Sequence, residues 1–305
     1  AQRRLDGARL AGGAFTSFSR DHLDYHASFE DELDAKLRLF RELLPKGARA
    51  VVNAASEASG AVLEAARVAG LEVVTVGRGG EVLELIEARP GAGHLDIDLA
   101  HAGRRRQLRI PLVGGFQAEN ALVAAALAAC SEECELDDAL GALEHLKGAR
   151  GRLERAGTTA TGARIFVDYA HTPDALEVAL AALRPHATGR IIVVFGAGGD
   201  RDAGKRALMG AAARAVADEV IVTDDNPRSE DAGAIRRAIL TAVPEASEIG
   251  DRRAAINEGI ARLESGDLLL VAGKGHERGQ IIGDAVVPFS DHEEVERALG
   301  GDGLA

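Results

Sequence analysis

Tryptophan is absent from the 305-residue sequence, methionine occurs once, and all aromatic residues together make up 3% of it. With 46% hydrophobic residues the cores can still be sizeable, but they must be built from Ala, Val, Leu and Ile. Cysteine occurs twice, at Cys130 and Cys134 in an Ala-rich helical stretch, with no His or Cys partner at metal-ligand spacing. Two thiols do not make a disulfide scaffold, so both read as packing residues of a reducing cytoplasm. Positive charge is also short: 36 Lys and Arg against 48 Asp and Glu give a net charge of −12. That balance argues against a nucleic-acid or membrane-surface role, which needs clustered bases. Anionic small molecules stay possible, because local Arg and Gly positions can oppose the global field. No signal-peptide pattern and no bilayer-length apolar run occurs, so no membrane insertion is expected and the location reads as cytoplasmic. An initiator Met is missing too, and the abrupt start at Ala1 raises the expectation of a fragment.

What is present is alternation of strands and helices over a length that suits two domains. FEDELDAKLRLFRELL (29–44) has the three-and-four spacing of an amphipathic helix. ARAVVN (48–53), a helix over roughly 57–69 and LEVVTV (71–76) form a βαβ pattern, which favours a parallel sheet. Residues 81–112 alternate as HLDIDLA and RRQLRIPLV do, and predict a small antiparallel insertion. Helices follow over about 117–131 and 136–146, and Gly148, Gly151 and GARGRLER mark a hinge near 150. The expected domains are therefore 1–149 and 150–305. After 160 the alternation is regular: ARIFVDYA, a helix from Pro173, RIIVVFG, a helix from about Lys205, EVIVTD, helices near 231–242 and 252–264, DLLLVAG, then a hairpin and a helix. This is a doubly wound α/β pattern, with ligand groups expected at the strands' carboxyl ends. Asp168, Phe195-Gly196, Thr223-Asp224 and Ala272-Gly273 all fall at such ends.

Several segments carry candidate chemistry, each beside a plainer reading. In TSFSRDHLDYH (16–26), His22 between Asp21 and Asp24 is a metal ligand or a solvated loop histidine, and Lys36 is otherwise a helix-surface partner of Glu32. FGAGGDRDAGKR (195–206) follows a strand and precedes a helix, so its glycines form either a phosphate cradle or a tight turn. It is not a Walker A loop, since GKR lacks the Ser or Thr. DNPR (Asp225, Asn226, Pro227, Arg228) is at least a turn at a strand end, with Arg228 able to cap the acidic helix start at Glu230 and Asp231.

These segments, with AGKGHE (272–277), VDYAHTPDAL (167–176), GRLE (151–154) and GGFQAENALVA, resemble in order the motifs of the Mur ligases, the amide ligases of peptidoglycan precursor synthesis. The resemblance covers essentially the whole chain. It implies the remainder of a parallel-sheet ATPase central domain followed by a doubly wound, Rossmann-like C-terminal domain. It also implies ATP-dependent joining of meso-diaminopimelate to a UDP-muramyl dipeptide through an acyl phosphate, by a monomer. His22 and a carbamylated Lys36 would then hold Mg2+, where hard oxygen donors suit the ion. Asn120, Arg152 and Asp168 would touch ATP, and Gln2 and Arg4 the UDP-muramyl substrate. Arg201, Asp225, Asn226, Pro227, Arg228, Gly273 and Glu277 would hold the diamino acid. Three departures stand out: Ser17 and Gln117 each replace a usual Asn, and the family's GTNGKT loop, its magnesium-binding Glu and its uridine-binding domain are not in the sequence. The chain as written is therefore expected not to complete catalysis alone. Two other readings share the pattern, a folylpolyglutamate- or cyanophycin-type ligase and a non-catalytic descendant, but the first would lack DNPR together with GKGHE.

Overall fold

Parallel strands buried on both faces explain most of the architecture. The computed structural model describes residues 5–18, 30–131 and 133–300, together with the backbone of Phe29. Gln2, Arg4 and His22 lie outside the described residues. Packing divides the chain into Ala1–Leu146 and Lys147–Ala305.

The first unit holds a six-stranded sheet in the order β1 (Gly12–Phe15), β2 (Arg49–Asn53), β3 (Glu72–Gly77), β4 (Leu83–Pro90), β5 (Leu95–His101), β6 (Arg104–Ile110). β1 through β4 run parallel, and β4–β5–β6 run antiparallel. Residues 81–112 are thus an antiparallel extension of the same sheet, because β4 pairs parallel with β3 through Val76 and Leu83. Side chains alternate across a strand, and β2 divides accordingly. Val51 packs in a cluster with Val76, Leu83, Ile97 and residues of α3 (Phe116–Ala128) and α4 (Leu136–Ala142). Ala50 and Val52 face the other way, toward Phe40 and toward α2 (Ser59–Val68) through Val62. The helix expected over 29–44 begins as α1 (Phe29–Arg38) and widens into a π turn at Leu39–Leu43, where Phe40 is buried.

The second unit is a six-stranded sheet in the order β11 (Ser247–Glu248), β10 (Glu219–Val222), β9 (Ile191–Phe195), β12 (Leu268–Ala272), β8 (Arg164–Asp168), β7 (Glu154–Thr158). Only β7 runs antiparallel. β9 and β12 are buried at every residue, which is why each reads as an unbroken apolar run. α5 (Pro173–Leu183), α6 (Lys205–Val216) and α7 (Ala232–Leu240) follow β8, β9 and β10, while α8 (Arg252–Ala261) precedes β12 and packs on the closing α9 (Asp291–Ala298). Helix starts are set by side chains that accept backbone N–H groups: Thr172 ahead of Pro173, Asp231 and Asp251. A hairpin, β13 (Gly279–Ile282) and β14 (Ala285–Pro288), stands apart from the sheet. The α/β class with parallel-rich sheets is as the sequence implies.

Candidate active site

The carboxyl ends of β8, β9, β10 and β12 meet in one place in the second unit. Chain order runs from β8 to β9 to β10 and then returns β12 between β8 and β9, the kind of reversal at which open α/β sheets bind ligands. Four non-glycine residues among those described have positive φ, and three of them, Leu153, Asp200 and Arg228, lie on the loops here. Strain of this kind persists only where surrounding contacts fix it.

The turn after β10 and the loop after β12 form the floor. Asp225 and Asn226 are buried, and Lys274 is fully buried between them. Lys274 Nζ donates to Asn226 Oδ1 at 2.9 Å and to Glu277 Oε2 at 3.3 Å, and lies 3.6 Å from Asp225 Oδ1. Asn226 Nδ2 donates to the same Glu277 Oε2 at 3.1 Å. Gly273 has φ +116°, and a Cβ there would stand 2.5 Å from Asp225 Oδ2, so only glycine fits. Beneath the floor, Arg252 and Asp291 make a buried two-bond ion pair at 2.8 Å, and Arg252 Nη2 also donates to the Ala272 carbonyl. Burial opposes the Arg252 charge, but Asp291 outweighs it and the guanidinium is held more firmly protonated than usual.

Arg228 and Arg201 flank the glycine loop that follows β9. Arg228 Nη1 donates to the Gly199 carbonyl at 2.7 Å, its N–H donates to the Ile281 carbonyl, and Gly283 N–H donates to its carbonyl. The helix start near Glu230 and Asp231, which the plainer reading of Arg228 would have it cap, is capped by Asp231. Arg201 is exposed, and its Cγ and Arg228 Nη1 both lie within 4 Å of where a Gly198 side chain would start. The glycines here serve close approach between loops: a Cβ on Gly199 would fall 1.9 Å from the Pro227 carbonyl oxygen. The packing that a tight turn calls for is therefore present, and the Gly199 N–H is itself spent on the Asn226 carbonyl. The two loops are sewn together by Ser229 Oγ and N–H donating to Asp200, and by Asp200 N–H and Arg206 donating to Glu230. Ser229 holds the Asp200 carboxyl below the usual carboxylate range, and Arg206 does the same for Glu230.

Asp168 and Arg152 occupy the neighbouring edge. Burial pushes the Asp168 carboxyl up, against the N–H groups of Leu153 and Ala170 that donate to its two oxygens at 2.6 and 2.7 Å. Arg152 is exposed and carries its guanidinium 5.1 Å from the centre of the Tyr169 ring, which also touches His171 and His276. The sequence reading did not single out Lys274, Tyr169, Arg206 or Arg252. Lys274 stands inside the quoted AGKGHE segment, so a lysine at a strand's carboxyl end was the available signal. Arg252 and Asp291 are 39 positions apart and give none.

In the first unit, Asn120 is half-buried on α3 beside Glu119, which accepts from the buried Asn53 Nδ2 at 2.8 Å. Lys36 Nζ lies 3.3 Å from Glu32 Oε1 and 5.2 Å from the centre of the Phe18 ring. The unmodified lysine therefore makes the pairing that the helix-surface reading expects. Among the described residues no group of three or more His, Cys, Asp or Glu side chains could hold a metal ion, and no helix is long and apolar enough to cross a membrane.

Comparison with known proteins places this geometry. Family models match twice, the Mur ligase middle domain over residues 1–128 and the Mur ligase glutamate ligase domain over 151–275. The UDP-N-acetylmuramoyl-L-alanyl-D-glutamate–2,6-diaminopimelate ligase of Chelativorans sp. (strain BNC1) is 57% identical over 298 residues, covering 98% of this chain and 62% of that protein. The protein of the same name from Mesorhizobium japonicum is 55% identical and is covered to 61%. A solved structure of a ligase so named matches with a TM-score of 0.67 at 32% identity, over 98% of this chain and 62% of its own. Folylpolyglutamate synthase of Mycobacterium tuberculosis reaches a TM-score of 0.70 over 96% of this chain and 65% of its own at 19% identity, a likeness of fold alone. The chain thus spans about three fifths of the length of the curated relatives it matches. With both domain models of one family matched in turn and relatives above half identity over nearly every residue, this chain belongs to the Mur ligase family.

Proposed function

We propose that the protein joins meso-diaminopimelate to UDP-N-acetylmuramoyl-L-alanyl-D-glutamate at the expense of ATP, as an ATP-dependent amide ligase. Residues 1–149 serve as the central, ATP- and substrate-binding domain and residues 150–305 as the amino-acid-binding domain of a cytoplasmic monomer. The observation that carries the reading is the pairing of opposite charges around one floor. Arg228 offers a guanidinium and Glu277 a carboxylate, and both are tied to a common turn, Arg228 as its member and Glu277 through Asn226. The far end of a diamino diacid carries one carboxylate and one ammonium, which that pair suits.

The glutamyl carboxylate attacks the γ-phosphorus, an acyl phosphate forms and ADP leaves. The diamino acid's amine, having lost a proton, attacks the carbonyl carbon and expels inorganic phosphate. Little covalent work falls to the protein, whose part is to position and to balance charge. Arg201, Asp225, Asn226, Pro227, Arg228, Gly273 and Glu277 hold the diamino acid. Arg152 and Asp168 are assigned to ATP, each Asp168 oxygen keeping acceptor capacity beside the one backbone N–H it receives. Asn120 is assigned to ATP in the first unit, and Gln2 and Arg4 to the UDP-muramyl substrate. Magnesium, when bound, neutralises charge on the transferring phosphoryl group. His22 and a carbamylated Lys36 would hold it: carbon dioxide added to Lys36 Nζ would replace the cation now facing Glu32 by an anion, and two anions one helical turn apart would favour a bound cation.

The test is amide formation by the full-length protein with meso-diaminopimelate and with lysine, before and after Arg228→Ala. A planar guanidinium grips a carboxylate with two charge-assisted bonds, and sites built on such partners reject the analogue lacking one by roughly 10⁴–10⁵-fold. The expected result is a strong wild-type preference for diaminopimelate that collapses in the variant. A wild-type preference for lysine, or an unchanged preference in the variant, would overturn the reading.

A further inference from the structure

Lys274 is a charged side chain with no exposure to solvent, and its ammonium is shared by the two loops that make the floor. A buried ammonium is costly unless ion-paired and hydrogen-bonded, so a lysine here is maintained by its partners and orders them in return. Those partners are specific. Asn226 Oδ1 accepts from Lys274 Nζ and from Ile281 N–H, both at 2.9 Å, which fixes the amide with its Nδ2 toward Glu277. Glu277 Oε2 receives two donors, Lys274 Nζ and Asn226 Nδ2, from the protein side. The Glu277 N–H in turn donates to the Lys274 carbonyl, closing the loop into a tight turn. The Glu277 side chain is 34% exposed although its partner is not.

Charge arithmetic points the same way. Apart from Arg228, which is left for the far carboxylate, the floor holds two carboxylates, Asp225 and Glu277, and one ammonium, Lys274; the nearby Arg252 is committed to Asp291 through two bonds at 2.8 Å. One negative charge is left over, enough for one incoming ammonium. Without Lys274 two carboxylates would be left without their shared cation, and Glu277 would lose one of the donors that hold Oε2 inward.

We propose that Lys274 is a positioning residue for amino-acid selection: it anchors Glu277 by Oε2 so that Oε1 receives the far ammonium of the diamino acid, and it sets the floor's charge to match that single cation. This rests on the diaminopimelate-adding reading above. It differs from a packing role because it acts on one functional group of one substrate.

The experiment uses the full-length protein with Lys274→Met and Lys274→Gln, the second keeping a donor toward Asn226 Oδ1. Steady-state amide formation is measured with meso-diaminopimelate and with 2-aminopimelate, which retains the reacting amine and far carboxylate but has hydrogen where the far ammonium stands. Truncating one partner of a buried charge pair implies that KM for diaminopimelate rises roughly 10²-fold in Lys274→Met. KM for 2-aminopimelate and for ATP is expected to stay within about threefold, with kcat little changed and Lys274→Gln intermediate. Equal rises for both amino acids, a fall in kcat with KM unchanged, or failure of both variants to fold would each overturn the proposal. If the wild-type protein makes no amide with diaminopimelate, the underlying reading fails instead, and that outcome is visible before any variant is made.

Discussion

Two Lys–Glu pairs in this molecule have the same length and opposite exposure. Lys36 and Glu32 sit one helical turn apart at 3.3 Å, with the lysine side chain 40% exposed and the glutamate 5%. Lys274 and Glu277 are also 3.3 Å apart, with the lysine at 0% and the glutamate at 34%. In each pair the buried member is fixed by its surroundings and the exposed member is the one that can meet something from solvent. The first pair offers an amine, a group that can take up carbon dioxide. The second offers a carboxylate, a group that can receive an ammonium. Distance alone would have made the two pairs equivalent, and burial assigns them different chemistry.

The largest effect that could break this comparison is at Lys36. In the full-length protein Lys36→Ala is expected to cost roughly 10³-fold in kcat, because the carbamate proposed at Lys36 could no longer give an oxygen ligand to a charge-neutralising metal. Short carboxylates added to the assay should restore part of the rate. Leaving the nearly buried Glu32 without its partner lowers stability by about 1–3 kcal/mol, which is too little to mimic that loss well below the melting temperature. Undiminished turnover in Lys36→Ala would show that the exposed amine is only a surface partner. At the second pair the effect is smaller and falls on another parameter. Glu277→Gln keeps the shape but removes the charge, and a charge-assisted hydrogen bond of this kind is worth about a 10- to 100-fold rise in KM for the diamino acid. A change in kcat with KM untouched would place Glu277 with the reacting atoms and undo the contrast.

How much of this was legible in the sequence follows from what holds each part in place. β9 and β12 are buried on both faces and announce themselves as IIVVF and LLLVA. β1, GGAF, has two glycines in four residues and exists because it pairs with β2, a partner some 37 positions on that no local pattern reveals. β7, ERAGT, is an antiparallel edge interrupted by a bulge between Arg155 and Gly157, so it lacks a clean alternation. Residues 81–112 are antiparallel, as their alternation implies; what no local pattern shows is that β4 joins the main sheet, because it meets β3 through only two paired positions. At the candidate site, DNPR and Glu277 could be recognised as a motif, while the role of Lys274 depends on three partners that the fold assembles. Glycines 198 and 199 could be read as a loop, but only the Pro227 carbonyl shows what they make room for.

The smallest effect tests whether the Lys274 floor and the seam beside it come apart separately. The seam between the loop after β9 and the turn after β10 relies on two carboxylates, the exposed Asp200 accepting from Ser229 and the half-buried Glu230 accepting from Asp200 N–H and the buried Arg206. Both carboxyls are held below their ordinary range, Asp200 first by Ser229 and Glu230 first by Arg206. For a group whose folded value is depressed, the stabilisation is complete above the unfolded value and disappears as pH falls through the folded one. Acidification should therefore loosen this seam. The Ile281 N–H provides the internal control, since it donates to the Asn226 amide and not to a carboxylate. Amide hydrogen exchange, corrected for the intrinsic pH dependence of the rate, is expected to show protection at Asp200 and Ser229 falling as the pH drops below the ordinary carboxylate range, with Ile281 still protected. Simultaneous loss at all three amides would mean that the seam and the Lys274 floor open as one unit.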